Sequence, residues 1–214
     1  MKITILGSTG LVGKVLLEKA LERKYQINTL VRNTEKLGAL KDDITFIEGD
    51  VFDIDKLEQA VSGSDIVLST VPPKMNTKEP KKYAKLMENW ISVFERNSIK
   101  RFIHIGGALH GGGENESWTI GRRMLKLFLS LFWRQGLVAK ELEWEVLKKS
   151  NIDWTLVRPP RVSKIKSTGD LIANEKSLAG MQINVEDLAE FILDQIDSEK
   201  WLKKAPLVAS EKGW

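Results

Sequence analysis

The chain begins Lys2-Ile3-Thr4-Ile5-Leu6-Gly7-Ser8-Thr9-Gly10-Leu11-Val12-Gly13-Lys14-Val15, and this stretch limits the fold more than any other. An apolar, β-branched run broken only by Thr4 reads as a strand buried on both faces. A helical pattern follows the last glycine, with Leu11, Val15, Leu16, Leu17, Ala20 and Leu21 on the apolar side and Glu18, Glu22 and Arg23 on the other. Three glycines at a strand-to-helix corner have distinct uses. Gly7 permits a sharp turn, Gly10 removes a Cβ from the path of an approaching phosphate, and Gly13 lets the helix pack closely. Free N–H groups and the positive dipole end of the helix then suit a pyrophosphate, so the stretch from Gly7 through Ser8, Thr9, Gly10, Leu11 and Val12 to Gly13 is expected to cradle a dinucleotide.

The remainder alternates strand and helix. Strands are expected at 27–31, 44–48, 65–70, 101–105, 153–157 and, at the end, 206–209. Helices are expected near 54–61, 81–97, 121–150 and 186–196. Alternation of this kind predicts an α/β fold with a doubly wound parallel sheet, as a single domain over 1–214. The length of 214 residues and a 42% hydrophobic content suffice for one core.

Ligands of such sheets sit beyond the carboxyl ends of the strands. The second strand exits at Val31-Arg32-Asn33. An acidic residue there would bind the ribose hydroxyls of NAD, whereas an arginine pairs with the 2′-phosphate of NADP. Arg32, with Lys36 as a second cation, points to NADP over NAD, against the plainer reading of surface charges. The third strand exits at Gly49-Asp50-Val51, where Asp50 would either accept from the adenine amino group or cap the next helix. The fourth exits at Thr70-Val71-Pro72, along the middle of such a cofactor.

Together with Asp53, the segment Asp153-Trp154-Thr155-Leu156-Val157-Arg158-Pro159 and Ile183-Asn184-Val185-Glu186-Asp187-Leu188-Ala189, these motifs resemble the atypical short-chain dehydrogenase/reductase family. The resemblance is to its NAD(P)H-binding, NmrA-like branch, which includes the biliverdin/flavin reductase type, and it covers almost the whole chain. It implies a Rossmann NAD(P)-binding core with NADP bound across the glycine turn and a substrate pocket made by the loops after the fifth and sixth strands. It also implies that the exit at Pro159 lies against the nicotinamide.

The expected chemistry departs from that pattern. The better-known members carry a serine after the fifth strand and Tyr-x-x-x-Lys on the following helix, the tyrosine moving the proton and the lysine holding the nicotinamide ribose. Here Gly106 and Gly107 stand at the serine position, Gly136 at the tyrosine position, and Lys140 matches the lysine. Lys140 is therefore either a ribose contact or a solvent-facing lysine. His110, in the glycine loop after the fifth strand, is the near-neutral group that would supply a proton instead, against a bland reading as a loop histidine. His104, inside the strand, reads as a core residue.

The insertion 106–134 reads as a substrate lid followed by an unusually apolar helix. In it Arg122, Lys126, Ser130 and Arg134 recur every four residues as one polar stripe. Its apolar surface calls for burial in the core, in a homodimer, over an apolar substrate or at a membrane surface, and core or dimer packing is expected. Trp90, Trp133, Trp144 and Trp154 read as core or interface residues; Trp201 falls in a lysine-rich tail.

A net charge of +4, interleaved in sign, gives no nucleic-acid footprint, and no run is long enough for a transmembrane segment. With no cysteine there is no thiol chemistry or cysteine-held metal, and no metal site is expected. A cytoplasmic oxidoreductase acting on a small, partly apolar substrate is expected. The alternative is a non-catalytic NADP-binding redox sensor that works through a protein partner.

Overall fold

A computed structural model describes residues 1–72, 78–109, 116–167 and 169–210. Six parallel strands form its centre: β1 (Lys2–Leu6), β2 (Gln26–Val31), β3 (Thr45–Glu48), β4 (Ile66–Ser69), β5 (Arg101–Ile105) and β6 (Asp153–Val157). Their order is β3-β2-β1-β4-β5-β6, so the chain winds outward from β1 in one direction and then in the other. The reversal falls between β1 and β4, where Ile3 pairs with Ile66 and Leu6 with Ser69. A crevice at this switch point is the place such a sheet offers a ligand.

Helices cover both faces, which is why the central strands carry apolar residues without alternation. On one face α1 (Leu11–Glu22) and α6 (Val185–Asp194) bury Leu16, Leu17, Leu188 and Ile192 over Ile3, Ile5 and Leu68. On the other face lie α2 (Ile54–Val61), α3 (Pro80–Arg96) and α5 (Arg134–Lys149). These pack Leu57, Trp90, Phe94 and Trp144 over Leu6, Phe102 and Trp154. Trp90, 1% exposed, meets Phe102 edge-on with ring centroids 6.4 Å apart. Trp201 is a correction to its reading as a tail residue. It is buried, its carbonyl accepts from Thr155, and the chain after it runs beside β6, with Lys203 N–H donating to Trp154 and Leu156 N–H to Lys204.

Other departures concern weak local signals. The helix expected over 121–150 is two helices, α4 (Ile120–Phe132) and α5, broken at Trp133, whose backbone leaves the helical region at φ −132° and ψ 31°. The apolar period runs through this break, so periodicity alone conceals it. Two short 3-10 pieces within Thr34–Asp43, parted by a kink at Gly38 and opened by Asn33, were not expected. Nor were the short strands β7 (Arg161–Ser163), β8 (Leu171–Asn174) and β9 (Gln182–Asn184). β7 pairs with β9, and β8 with the last strand, β10 (Leu207–Ser210).

The orientation of α4 overturns the expectation of core packing. Arg122 is buried, and Ile120, Met124, Leu127, Phe128, Leu131 and Phe132 are all exposed. Of the polar stripe only Arg122 is buried, Lys126 and Ser130 being half-buried and Arg134 exposed, and Arg122 turns inward because the protein offers it better partners than it offers the leucines. Its Nε donates to the Ala108 carbonyl at 2.7 Å, and its guanidinium pairs with Glu116.

Candidate functional site

The glycine turn joins the carboxyl end of β1 to the N-terminus of α1. Gly7 has φ +86°, and a Cβ there would lie 2.6 Å from Thr70 Oγ1, so this position admits only glycine. Thr70 Oγ1 donates to the Gly7 carbonyl at 3.1 Å, fastening the turn to the exit of β4. A Cβ on Gly13 would stand 2.1 Å from the Gly7 carbonyl oxygen, so Gly13 allows the helix to seat against the turn itself. Gly10 is different: its Cβ would meet only the Gly7 oxygen, at 3.4 Å. The space beside it belongs to the cleft and is not filled by protein. No side chain caps α1, and its first turn has no acidic residue, so its leading amides stay available to an anion.

A cleft of about 470 Å³ opens in front of this turn. It brings together Gly7, Thr9, Gly10, Arg32, Lys36, Asp50, Val51, Thr70 and Val71 from the exits of four strands. Arg32 and Lys36 are both exposed at its mouth. Asp50 Oδ1 accepts from the Phe52 amide at 3.0 Å, which holds the carboxylate at the cleft. The capping alternative belongs to another residue, Asp53, which accepts from Lys56 N–H at the start of α2. Two lining residues were missed from sequence, Phe52 and Tyr83, whose rings meet edge-on at 5.7 Å. Their signal was Phe52's place just past the Asp50 exit and Tyr83's in the first turn of α3.

The other residues expected here stand elsewhere. Ser8 is buried, its hydroxyl 2.7 Å from that of Thr29, so only its backbone belongs to the turn. Leu11 begins α1 exposed, and Val12 packs on the α1–α6 core; like Gly13, neither lines the cleft. Pro159 is buried away from it, and its carbonyl accepts from Ala108 N–H at 2.8 Å. Its part is to lace the β6 exit to the β5 exit.

A second group gathers beyond β5. Lys140 is 7% exposed, which removes the solvent-facing alternative, and it lies outside the cleft lining. Its Nζ is 3.7 Å from where a Cβ on Gly107 would be, so it faces the position at which a serine was expected. A Cβ on Gly136 would lie 2.0 Å from the indole of Trp133. Trp133 thus occupies the ground a tyrosine would need, with Lys140 Nζ 5.8 Å from its ring centroid. Burial lowers the Lys140 pKa, opposed by the charge of Glu143, and burial raises Glu143 to about 8. His104 is the core residue expected, 2% exposed, with its pKa brought down to about 3 by burial and then by Lys140. His110 lies outside the described residues.

The described end of the expected lid is anchored. The Glu116 side chain, 1% exposed, pairs with Arg122 and with Arg158 at 2.8 Å, while Trp118 covers the Arg122 guanidinium at 3.7 Å. Ser117 N–H donates to the Lys176 carbonyl at 2.7 Å.

A family profile described as NAD(P)H-binding matches residues 7–199. The chain belongs to the NAD(P)H-binding family. Within it the NmrA-like, atypical short-chain dehydrogenase/reductase branch is the one to which it is related. An uncharacterized chloroplastic protein of Arabidopsis thaliana is 27% identical over 210 residues, covering 93% of this chain and 73% of that protein. Anthocyanidin reductase of the same plant is 24% identical over 220 residues, 88% of this chain and 65% of the reductase. Among solved structures, the anaerobilin reductase ChuY of Escherichia coli O157:H7 superposes with a TM-score of 0.79 at 17% identity, covering 99% of this chain and 98% of that one. A short-chain dehydrogenase/reductase of Veillonella parvula DSM 2008, in complex with NADP, gives 0.78 at 20% identity over 99% and 95%. These two likenesses carry the fold. The family's cofactor fits the site: the uncapped helix start and the open space at Gly10 suit a pyrophosphate, and Asp50 offers an acceptor further along the cleft.

Proposed function

We propose that the protein is an NADP(H)-dependent oxidoreductase acting on a small, partly apolar molecule. The observation that carries this reading is the convergence of Gly7 and Gly10, Arg32 and Lys36, and Asp50 on one cleft at the topological switch point. Arg32 and Lys36 give the cleft mouth the positive charge that a 2′-phosphate needs. The glycine turn positions the pyrophosphate, and Thr70 keeps that turn in place. When bound, the reduced nicotinamide supplies a hydride. Lys140, buried beside Gly107, is a cationic group beyond β5, and we assign it to orienting the nicotinamide end. We assign proton donation to His110 from its residue type and its place in the chain after β5.

A second reading has its own support. Trp133 on Gly136 leaves no room for the tyrosine acid, which favours a cofactor-binding sensor without turnover. One experiment separates the two. NADPH at about a hundred times its Kd should add roughly 2.7 kcal/mol of stability, on the order of 5–10 °C in Tm for a chain this long. NADPH oxidation is then followed against quinones, flavins and carbonyl compounds. Turnover supports the oxidoreductase; a large Tm shift without turnover supports the sensor; no Tm shift with either nucleotide ends both.

A further inference from the structure

The face of α4 that points away from the protein is its apolar one. At about 100° per residue, Leu127, Ile120, Leu131, Met124, Phe128 and Phe132 fall on one continuous arc. Their exposures run from 58% for Phe128 to 78% for Ile120. The opposite side holds Arg122, buried on Glu116, and Lys126, paired with Glu141 at 3.5 Å. The outward arc is therefore fixed by ion pairs beneath it. The helix contains no acidic residue. Arg123, exposed, borders the arc beside Leu127, and Arg134, also exposed, opens α5 just past the end of the helix.

We infer that α4 is a docking surface for an anionic lipid bilayer, lying in the headgroup region with its apolar arc toward the acyl chains and Arg123 and Arg134 toward lipid phosphates. An interfacial helix needs a wide apolar face, a basic border and a long axis parallel to the surface, and α4 supplies the first two. No helix among the described residues is long and apolar enough to cross a membrane, so the contact is superficial. A second copy of the chain fits less well. A helix of 13 residues is about 20 Å long and about 10 Å across, and two such faces cover far less than the roughly 800 Å² per partner of a stable interface. Pairing of two copies would also bring their arginine borders together with no acidic side chain on either helix to offset them.

The inference does not rest on the oxidoreductase reading, because neither cofactor nor substrate enters its test. The full chain is sedimented with vesicles of phosphatidylcholine alone and of phosphatidylcholine containing one third phosphatidylglycerol, at low and high salt. Binding to the anionic vesicles that high salt weakens is expected. Leu127→Glu with Leu131→Glu should lower the bound fraction at least tenfold without changing Tm, since both side chains are mostly exposed. Arg123→Gln and Arg134→Gln should each weaken binding about fivefold. Equal binding to both vesicle types, no binding to either, or binding that survives the glutamate pair overturns the proposal. So does a particle of twice 24.2 kDa in light scattering that the glutamate pair dissociates while wild type leaves the vesicles unbound.

Discussion

The indole of Trp133 stands where any side chain on Gly136 would have to go, 2.0 Å from the position of its Cβ. The missing tyrosine is thus a packed substitution in which a tryptophan from the preceding turn fills the space. Gly136→Ala should destabilise the fold by about 1–3 kcal/mol by overpacking, although alanine favours a helix more than glycine does. Chemical denaturation measures the loss. Adding Trp133→Ala should recover much of it, and a strictly additive pair would contradict the arrangement.

Gly10 and Gly13 separate binding from folding. Gly13→Ala drives a Cβ into the backbone of Gly7 and should cost on the order of 3 kcal/mol. Gly10→Ala meets nothing closer than 3.4 Å and should stay within about 0.5 kcal/mol of wild type, yet weaken nucleotide binding at least tenfold. Denaturation curves paired with NADPH fluorescence titration give both quantities. Undiminished binding in Gly10→Ala would remove the phosphate from that corner.

Arg32 sets the expected preference between cofactors. Arg32→Ala should weaken NADPH binding by about tenfold, the loss of one exposed charge-assisted contact, and leave NADH nearly unchanged. Parallel titrations test this, and equal losses for both nucleotides would give Arg32 a role unrelated to the 2′-phosphate.

His104 makes stability depend on acid. Its folded pKa is lowered to about 3, so as pH falls the unfolded chain binds this proton first. Its contribution is complete above the ordinary value near 6.5 and is lost as pH falls from there toward 3. Between about pH 7 and about pH 5 the loss should be about 2 kcal/mol. His104→Gln should flatten that part of the profile. Glu143 works in the opposite sense: its pKa is raised, so ionising it as pH rises toward about 8 costs stability. The histidine effect is therefore read as the difference between wild type and variant denaturation curves.

The cofactor half was legible because its signals are local. The strand at 2–6, the spacing of Gly7, Gly10 and Gly13 and the exits at Arg32, Asp50 and Thr70 follow directly from the order of residues, and the sheet brings them to one cleft. The half beyond β5 was not, because it depends on contacts between distant segments. Nothing adjacent to Arg122 announces that Glu116 and Ala108 will draw it inward and so turn the leucines of α4 outward. Nothing near Lys140 shows that Gly107 and His104 of the β5 exit will meet it. The strands β7 and β9, at three residues each, are too short for a period to register.

Every described residue lining the cleft falls between Gly7 and Tyr83, within about the first two-fifths of the chain. A growing polypeptide would have all of these positions in hand well before Lys140 or α4 has been translated. Inheritance is partitioned along the same line. Substitutions after residue 83, Lys140 apart, can alter what is transformed, or which surface the protein visits, without touching the lining of that cleft, so a lineage can change its chemistry while its coenzyme stays the same.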